Sequence, residues 1–157
     1  MIVVEEPPVV NADLIILVGP PASTKTSYCK MIGYESVSQD VLKTAARCLK
    51  ECEKKLKIGN VVVDNTNPTI AGRAKYIAIA KKLNKTVACV FFNIHKDIAM
   101  HMNQYRRITN GRMVPDVAIH KYYKSLEEPT TVEGLNILTL DKIYIKYSDP
   151  LLYTYMD

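Results

Sequence analysis

Residues 14–26 read LIILVGPPASTKT, and this stretch decides the fold. Its first five residues are apolar without alternation, which is typical of a strand covered on both faces in a parallel sheet. Gly19-Pro20-Pro21-Ala22 then leads into a segment that predicts a helix near 26–32, ended by Gly33. A strand, a loop and a helix in this order predict a nucleotide-binding α/β fold.

The rest of the chain repeats this alternation of strand and helix. Strand patterns occur at 35–37, 60–64, 86–92 and 136–140, and helical patterns at 41–57, 69–83, 95–107 and 117–126. The stretch RITNGRMVP at 107–115 contains breakers and basic residues and predicts a mobile basic loop. Because residues 19–26 also resemble the phosphate-loop pattern G-x-x-x-x-G-K-[ST], we predict a P-loop NTPase-type α/β three-layer sandwich, with about five parallel strands, helices on both faces and a basic lid.

Composition limits the class of protein. The 157 residues, of which 48% are hydrophobic, suit a single domain over 1–157, with a core at about 13–140 and a tail at 141–157. No apolar run reaches the roughly 20 residues of a membrane span, and the acidic start lacks a signal peptide, so an intracellular protein, nuclear or cytoplasmic and not secreted, is expected. A net charge of +5 favours a polyanionic partner but also suits a solvated surface. The four cysteines lack zinc or disulfide spacing and predict reduced core thiols.

Residues 19–26 match the phosphate-loop pattern G-x-x-x-x-G-K-[ST], except that Thr24 replaces the second glycine. In such a loop, backbone N–H groups and a lysine hold the phosphates of ATP, and a hydroxyl binds Mg²⁺. A β-branched residue resists the positive φ that this loop needs, so weakened nucleotide binding is expected. The alternative is a Gly-Pro-Pro turn before an ordinary helix. The candidate nucleotide contacts are Gly19, Pro20, Pro21, Ala22, Ser23, Thr24, Lys25 and Thr26.

A second motif, Asp64-Asn65-Thr66-Asn67-Pro68, continues through Arg73-Ala74-Lys75-Tyr76. With the phosphate loop, it resembles the kinase domain of polynucleotide kinase/phosphatase and, more distantly, bacteriophage polynucleotide kinase, over about 13–140. The resemblance implies phosphorylation of the 5′-hydroxyl end of DNA or RNA by ATP with Mg²⁺, in nucleic-acid end repair. It leaves open whether a phosphatase or ligase partner is joined covalently or separate. The family's phosphatase signature D-x-D-G-T is absent from the chain, so no 3′-phosphatase activity is expected.

The resemblance also implies roles for charged residues. Ser38-Gln39-Asp40 stands where the family has N-R-D, which makes Asp40 the candidate general base. Arg47 matches an arginine that contacts the acceptor phosphate, and Arg106 matches a lid arginine that contacts the transferring phosphoryl group and the nucleotide. Without the resemblance, Asp40 could cap the helix predicted from Val41, and Arg47 could be a solvated helix residue.

The second motif supplies the remaining candidates. Asp64 lies where a strand-end carboxylate binds Mg²⁺ through water, together with Thr26. The expected acceptor contacts are Asn65, Thr66, Asn67 and Arg73. Their alternative reading is the end of a buried strand followed by a turn.

Three departures from the family pattern support a second hypothesis. Thr24 alters the loop, and Gln39 and Gln104 stand where the family has arginines. The chain could therefore be a catalytically weakened nucleic-acid-binding module that keeps the kinase fold, and a small-molecule P-loop kinase is a third hypothesis. In the tail, the tyrosines could stack on bases or adenine or form a half-buried edge strand at KIYIKY. They are Tyr144, Tyr147, Tyr153 and Tyr155.

Overall fold

A central sheet of five parallel strands organises the structure, a computed structural model that describes residues 2–111 and 113–145. The strands lie in the order β3-β4-β2-β5-β6. This confirms the predicted α/β architecture. The bounds are Leu14–Val18 for β2, Glu35–Val37 for β3, Val61–Val63 for β4, Val87–Phe92 for β5 and Asn136–Leu140 for β6.

Strand β2 occupies the middle of the sheet because both its edges and both its faces are covered. Leu14 is in register with Val61 on one side and with Val87 on the other. All five of its side chains are fully buried. Ile15 and Leu17 pack on one face of the sheet, whereas Leu14, Ile16 and Val18 pack on the other. The unbroken apolar run thus reflects a strand between two helical layers.

The described residues form six α-helices, four of which pack on the two faces of the sheet. One apolar cluster includes residues of α1 and α5, and the other includes residues of α3 and α4, so the predicted three-layer arrangement is confirmed. The bounds are Lys25–Ile32 for α1, Gln39–Leu42 for α2, Ala45–Leu56 for α3, Ile70–Lys82 for α4, Lys96–Asn110 for α5 and Asp116–Ser125 for α6.

The helix predicted over 41–57 is wrong in one respect, because it is two helices. Lys43 has a φ of 76°, which interrupts the helical path after α2. Thr44 then caps α3, since its hydroxyl oxygen accepts a hydrogen bond from the backbone N–H of Arg47 at 3.2 Å. The break separates the short helix that carries Asp40 from the long helix that carries Arg47.

The loop predicted over 107–115 is wrong over 107–110, which continue α5. Gly111 ends the helix in the left-handed region, where its N–H donates to the Arg107 carbonyl at 3.1 Å. The side chain of Asn103 then brackets the returning chain: Nδ2 donates to the Val114 carbonyl at 2.8 Å, and Oδ1 accepts from the Val114 N–H at 3.1 Å. The Asn103 side chain therefore makes the two hydrogen bonds with the Val114 backbone that a neighbouring strand would otherwise make.

A second, two-stranded parallel sheet was not predicted. It pairs β1, Ile2–Val4, with β7, Ile143–Ile145. The strand expected at KIYIKY therefore exists, but it pairs with the beginning of the chain. Tyr144 lies in β7, whereas Tyr147, Tyr153 and Tyr155 lie outside the described residues.

All four cysteines are buried free thiols, which agrees with their predicted place in the core. Across 2–111 and 113–145, no helix has the length and apolar character needed to cross a membrane.

Candidate active site

The phosphate loop joins β2 to the N-terminus of α1. Ala22 and Thr24 have φ values of 67° and 69°, while Ser23 between them does not have a positive φ. Left-handed residues in such a loop help to turn successive backbone N–H groups toward one concave surface, a form that binds anions. The loop thus holds the β-branched Thr24 in the left-handed conformation that the motif's second glycine would adopt without strain.

Gly19 is required by the packing behind this loop. A Cβ added there would lie 2.8 Å from Cβ of Phe92, which is closer than real Cβ atoms approach, and 3.0 Å from Oγ of Ser23, which is a tight contact. The Gly19 N–H also donates to the Thr66 carbonyl at 3.2 Å. The first residue of the phosphate loop is therefore held against β5 and against the second motif.

Lys25 is buried inside the loop. Its Nζ donates to the Pro20 carbonyl at 2.6 Å and lies 3.4 Å from Oγ of Ser23. Both of these acceptors are neutral oxygens of the protein. An anion in the loop would offer it stronger, charge-assisted hydrogen bonds.

Electrostatics also link Lys25 to the other predicted residues. Burial lowers the pKa of Lys25 to about 8, and the charge of Asp64 is the largest influence in the opposite direction. Arg106 lowers the same pKa and Asp40 raises it, both more weakly. The fold thus brings residues from β4 and its following turn, α2 and α5 within electrostatic reach of one lysine.

Thr26 and Asp64 form the pair that fits a magnesium ion. The Thr26 hydroxyl donates to Oδ2 of Asp64 at 3.0 Å. Mg²⁺ prefers oxygen ligands and usually keeps several waters while binding one or two protein groups and substrate phosphates. The described residues contain no cluster of three or more His, Cys, Asp or Glu that could hold a metal. This pair suits a Mg²⁺ that arrives with a nucleotide.

Asp40 lies in α2, and it is not the helix cap. Ser38 is the N-cap, because its Oγ accepts from the Val41 N–H at 3.4 Å. The capping alternative is therefore wrong. Asp40 itself is exposed and makes no hydrogen bond or ion pair with any residue that the structure describes. Its carboxylate is available to an external group.

The motif from Asp64 to Pro68 connects the loop to α2. Asn65 accepts a hydrogen bond through Oδ1 from the Gln39 N–H at 2.7 Å. Asn67 has a φ of 45° and donates through Nδ2 to the Leu17 carbonyl at 2.8 Å. Both amide side chains are thus used inside the protein. The Thr66 side chain, half-buried, has no hydrogen bond to any described residue.

Arg73 does not reach the acceptor surface that the resemblance implied. Its side chain is fully buried and forms an ion pair with Glu133, with Nε 2.9 Å from Oε1. Its remaining hydrogen bonds go to the carbonyls of Asn67 at 3.0 Å and Glu127 at 2.8 Å. Because a solvent-facing phosphate cannot contact a guanidinium that is enclosed and already paired, Arg73 acts as part of the scaffold.

Arg47 lies in the first turn of α3 and is exposed. That turn contains no acidic residue, so a positive side chain faces the positive end of the helix dipole. Such an arrangement is unfavourable alone and is relieved when an anion lies between them. The position therefore suits an external phosphate.

A cavity of about 660 Å³ lies beside the loop, on the side of α1 and α5. Its lining includes Thr24 and Ser27 from the loop and α1, Tyr105 from α5 and Tyr144 from β7. Arg106 follows Tyr105 and is half-buried. The sequence did not predict that these residues line a cavity. The i,i+4 spacing of Ser27 and Met31 after the phosphate loop is the signal that could have indicated it.

Comparison with known proteins identifies the family of this chain. A family model described as an AAA domain matches residues 14–129. The chain belongs to the AAA domain family. The matched region of this AAA domain begins at β2 and includes the phosphate loop, α2 with Asp40, and α5 with Arg106.

Two curated relatives confirm the resemblance read from the sequence. The bifunctional polynucleotide phosphatase/kinase of Schizosaccharomyces pombe is 35% identical over 130 residues, which are 79% of this chain and 32% of that protein. A protein of Acanthamoeba polyphaga mimivirus, with the same two activities in its name, is 32% identical over 145 residues, or 87% of this chain and 34% of that protein. The AAA domain described here thus spans about a third of the length of these curated relatives.

Solved structures share the fold at low sequence identity. Kti12 of Chaetomium thermophilum in complex with ADP-AlF3 matches with a TM-score of 0.63 at 14% identity, over 82% of this chain and 88% of that one. A gluconokinase of Sinorhizobium meliloti matches with a TM-score of 0.58 at 17% identity, over 87% and 83%. The AAA domain of this chain therefore has a P-loop kinase-type fold.

Proposed function

We propose that this domain transfers the γ-phosphoryl group of ATP to the 5′-hydroxyl end of a nucleic acid. The observation that carries the proposal is the 3.0 Å contact between Thr26 and Asp64 beside buried Lys25, with the unpaired carboxylate of Asp40 on the adjoining α2. Similarity to polynucleotide phosphatase/kinases supports the choice of acceptor.

The donor half of the site would hold Mg-ATP. The backbone N–H groups of the loop and Lys25 bind the phosphates, and the cavity beside Ser27 and Tyr105 has a volume within the range typical of ligand pockets, about 300–1,000 Å³. Thr26 would hold Mg²⁺ directly, and Asp64 through water. When bound, the ion neutralises charge on the phosphate oxygens.

In the acceptor half, Asp40 accepts the proton of the 5′-hydroxyl as its oxygen attacks the γ-phosphorus. A bond forms between that oxygen and phosphorus, the bond from phosphorus to the β–γ bridging oxygen breaks, and ADP leaves with the electron pair. Arg106 stabilises the charge on the γ-oxygens as they pass through the transition state. Arg47 holds the first phosphate of the acceptor strand.

Asp40→Asn tests the proposal most directly. General bases contribute about 10²–10⁴-fold to rate, so transfer from labelled ATP to a 5′-hydroxyl oligonucleotide should fall by that factor while ATP binding is unchanged. Asp116→Asn is the matched control, because it removes an exposed carboxylate from the first turn of another helix. Transfer at the wild-type rate by Asp40→Asn would show that the base is assigned wrongly.

The same assay distinguishes acceptors. Nucleosides and sugars should compete poorly with a 5′-hydroxyl oligonucleotide, because they offer no phosphate to Arg47. Strong competition by a free nucleoside would favour a small-molecule kinase.

A second candidate function is a nucleic-acid-binding module that no longer binds ATP productively. The left-handed conformation of β-branched Thr24 supports it, since the strain must be sustained in every nucleotide-bound state. Calorimetry with Mg-ATP separates the two candidates. Oligonucleotide binding without measurable ATP binding, in both the wild type and Thr24→Gly, would favour the module.

The relatives' names also bear on partners. Because the chain spans a third of proteins named for two activities, we propose that a phosphatase acts together with this kinase in end repair, on the same polypeptide or a separate one. Purified full-length protein tested on a 3′-phosphate oligonucleotide would show whether that second activity accompanies the kinase.

A further inference from the structure

Helix α3 and its C-cap residue carry four basic residues on a single face. Arg47, Lys50, Lys54 and Lys57 follow one another at spacings of three, four and three, which aligns their side chains on one side of the helix. We call these four residues the basic stripe. The opposite side of α3 carries Cys48, Cys52 and Leu56, all fully buried against the sheet. The basic stripe therefore faces away from the core.

Among the described residues, the charges of the basic stripe are compensated only at longer range, as between Lys57 and Glu53. All four side chains are exposed, and none forms an ion pair with a residue that the structure describes. Two of the nearby acids are already engaged by other lysines: Glu53 with Lys82 at 2.7 Å and Glu35 with Lys55 at 3.8 Å. These pairs leave the cations of the stripe available to an external partner.

The stripe borders a shallow groove rather than a smooth helix surface. An open depression of about 580 Å³ is lined by its four members together with Leu42, Glu51 and Glu53. Glu51 is the one carboxylate of this lining that is not in an ion pair among the described residues, and it is half-buried. The groove thus offers an extended cationic surface with a single uncompensated acid.

The stripe is also continuous with the proposed acceptor site. It begins at Arg47, two residues into α3 and one short break after the helix that carries Asp40. From Arg47 to Lys57 the helix rises about 15 Å, at about 1.5 Å per residue. With four cations over this length, the stripe can contact about four phosphates of one strand.

We propose that the basic stripe holds the phosphate backbone of the acceptor strand as it leaves the active site, with Lys54 and Lys57 contacting nucleotides beyond the reach of Arg47. The inference rests on the proposed function and deepens it. It makes the preferred substrate an oligonucleotide of more than about five nucleotides, because four phosphates of stripe are added to the terminal nucleotide.

The test compares a 3-mer with a 10-mer, both single-stranded and ending in a 5′-hydroxyl. Each phosphate contact with a single strand contributes about 0.7 to the slope of log affinity against log salt. Lys54→Ala/Lys57→Ala should therefore lower the slope for the 10-mer by about 1.4, measured by fluorescence anisotropy. At about 0.1 M salt this corresponds to a roughly 25-fold loss of affinity, with the KM for the 10-mer rising in parallel. Binding and phosphorylation of the 3-mer should stay unchanged.

Two matched variants serve as controls. Lys30→Ala/Lys121→Ala removes two exposed lysines from α1 and α6 and should leave the 10-mer slope unaltered. Glu51→Gln removes the acid of the groove and should tighten 10-mer binding. Thermal unfolding of each variant verifies that the fold is retained.

Four results would overturn the inference. If the 10-mer slope does not change while the 3-mer is still phosphorylated, the stripe is wrong and the proposed function stands. If both oligonucleotides lose affinity equally, the lysines act on the terminal site and not along the strand. If the control pair lowers the slope as much, the effect is general surface charge. If the wild type neither binds nor phosphorylates any oligonucleotide, the proposed function fails and the stripe fails with it.

Discussion

Replacing Thr24 with glycine tests whether strain is stored in the phosphate loop. Thr24 has φ 69° and ψ 18°, at the N-cap of α1 and without a capping side-chain hydrogen bond. A residue with a Cβ pays about 1–2 kcal/mol for this left-handed conformation, and a β-branched residue lies toward the upper end. Glycine removes that cost but makes the unfolded chain more flexible, at about 0.5–1 kcal/mol. A net stabilisation of about 1 kcal/mol is expected.

Thermal unfolding should register this gain. For a domain of 157 residues, about 1 kcal/mol raises Tm by about 2–4 °C. Nucleotide affinity should rise as well, because phosphates bind only the left-handed form of the loop and the strain reduces its population. One to two kcal/mol corresponds to about 5–30-fold, which is the upper limit for the gain in ATP affinity by calorimetry.

Thr24→Val is the control that isolates the backbone. The Thr24 hydroxyl donates to the Ser23 carbonyl, and valine removes that contact while keeping the branched side chain and its strain. Valine should therefore leave Tm the same or lower it. If Thr24→Gly unfolds at or below the wild-type temperature, the loop stores no strain, and the prediction that Thr24 weakens nucleotide binding is wrong.

Three further predictions concern the same scaffold. Burial lowers the pKa of Lys25 to about 8, whereas bound phosphate favours the ammonium. ATP binding at pH 8 should therefore be accompanied by the uptake of about half a proton. Calorimetry in buffers of different ionisation enthalpy measures this uptake, which should be absent in Lys25→Met. Arg73→Met breaks the buried ion pair with Glu133 and should lower the free energy of unfolding in urea by about 3–5 kcal/mol. Arg73→Met/Glu133→Leu should recover part of this stability. Full stability of Arg73→Met would contradict the scaffold role. Asn65→Ala should lower kcat by up to about 100-fold with ATP affinity unchanged, because Asn65 positions the helix of Asp40. Asn65→Asp should restore most of the kcat, because it keeps an acceptor for the Gln39 N–H. Equal loss of kcat in both variants would refute this positioning role.

The buried ion pair of Arg73 and Glu133 makes the stability of the fold sensitive to acid. Burial pushes the pKa of Glu133 upward, but hydrogen bonds from Arg73 and from the Thr130 N–H outweigh it, so the pKa is lowered below its ordinary value of 4.5. A lowered carboxyl pKa contributes stability that is fully present above about pH 4.5 and is lost as the pH falls through the folded value. For Lys25 the sign is opposite to the usual lysine case: the cost of burying its charge is present below pH 8 and disappears above 10.5.

The elements predicted best from the sequence were those whose apolar pattern is local. Strand β2 was bounded correctly because both faces are buried, and Gly33 ends α1 as a left-handed cap. The break at Lys43 was not visible, since lysine carries no turn signal and the chain keeps its helical spacing across it. Strand β1 was missed because three residues are too few for a pattern, and its partner lies more than 130 residues away.

The site residues also differ in how well the sequence predicts their positions. Lys25, Thr26 and Asp64 could be placed from motifs, because the loop and the strand end bring them together by local geometry. Arg73 could not be, because a charged helix residue looks exposed until its partner is known, and Glu133 lies 60 residues away. The pairing that buries an arginine is a long-range property that no local pattern records.

The second motif explains how donor and acceptor halves are kept in register. Asn67 is bound to the β2 backbone, the Thr66 carbonyl receives the first N–H of the phosphate loop, and Asn65 receives the first N–H of the helix that carries Asp40. Three consecutive residues thus set the distance between the loop and the helix of the proposed base, Asp40. Since misplacement of reacting groups by about 1 Å can cost 100-fold in rate, a short rigid segment is more effective here than direct contact with substrate. The amides of this motif are therefore better understood as fixing the geometry of the reaction than as binding the strand.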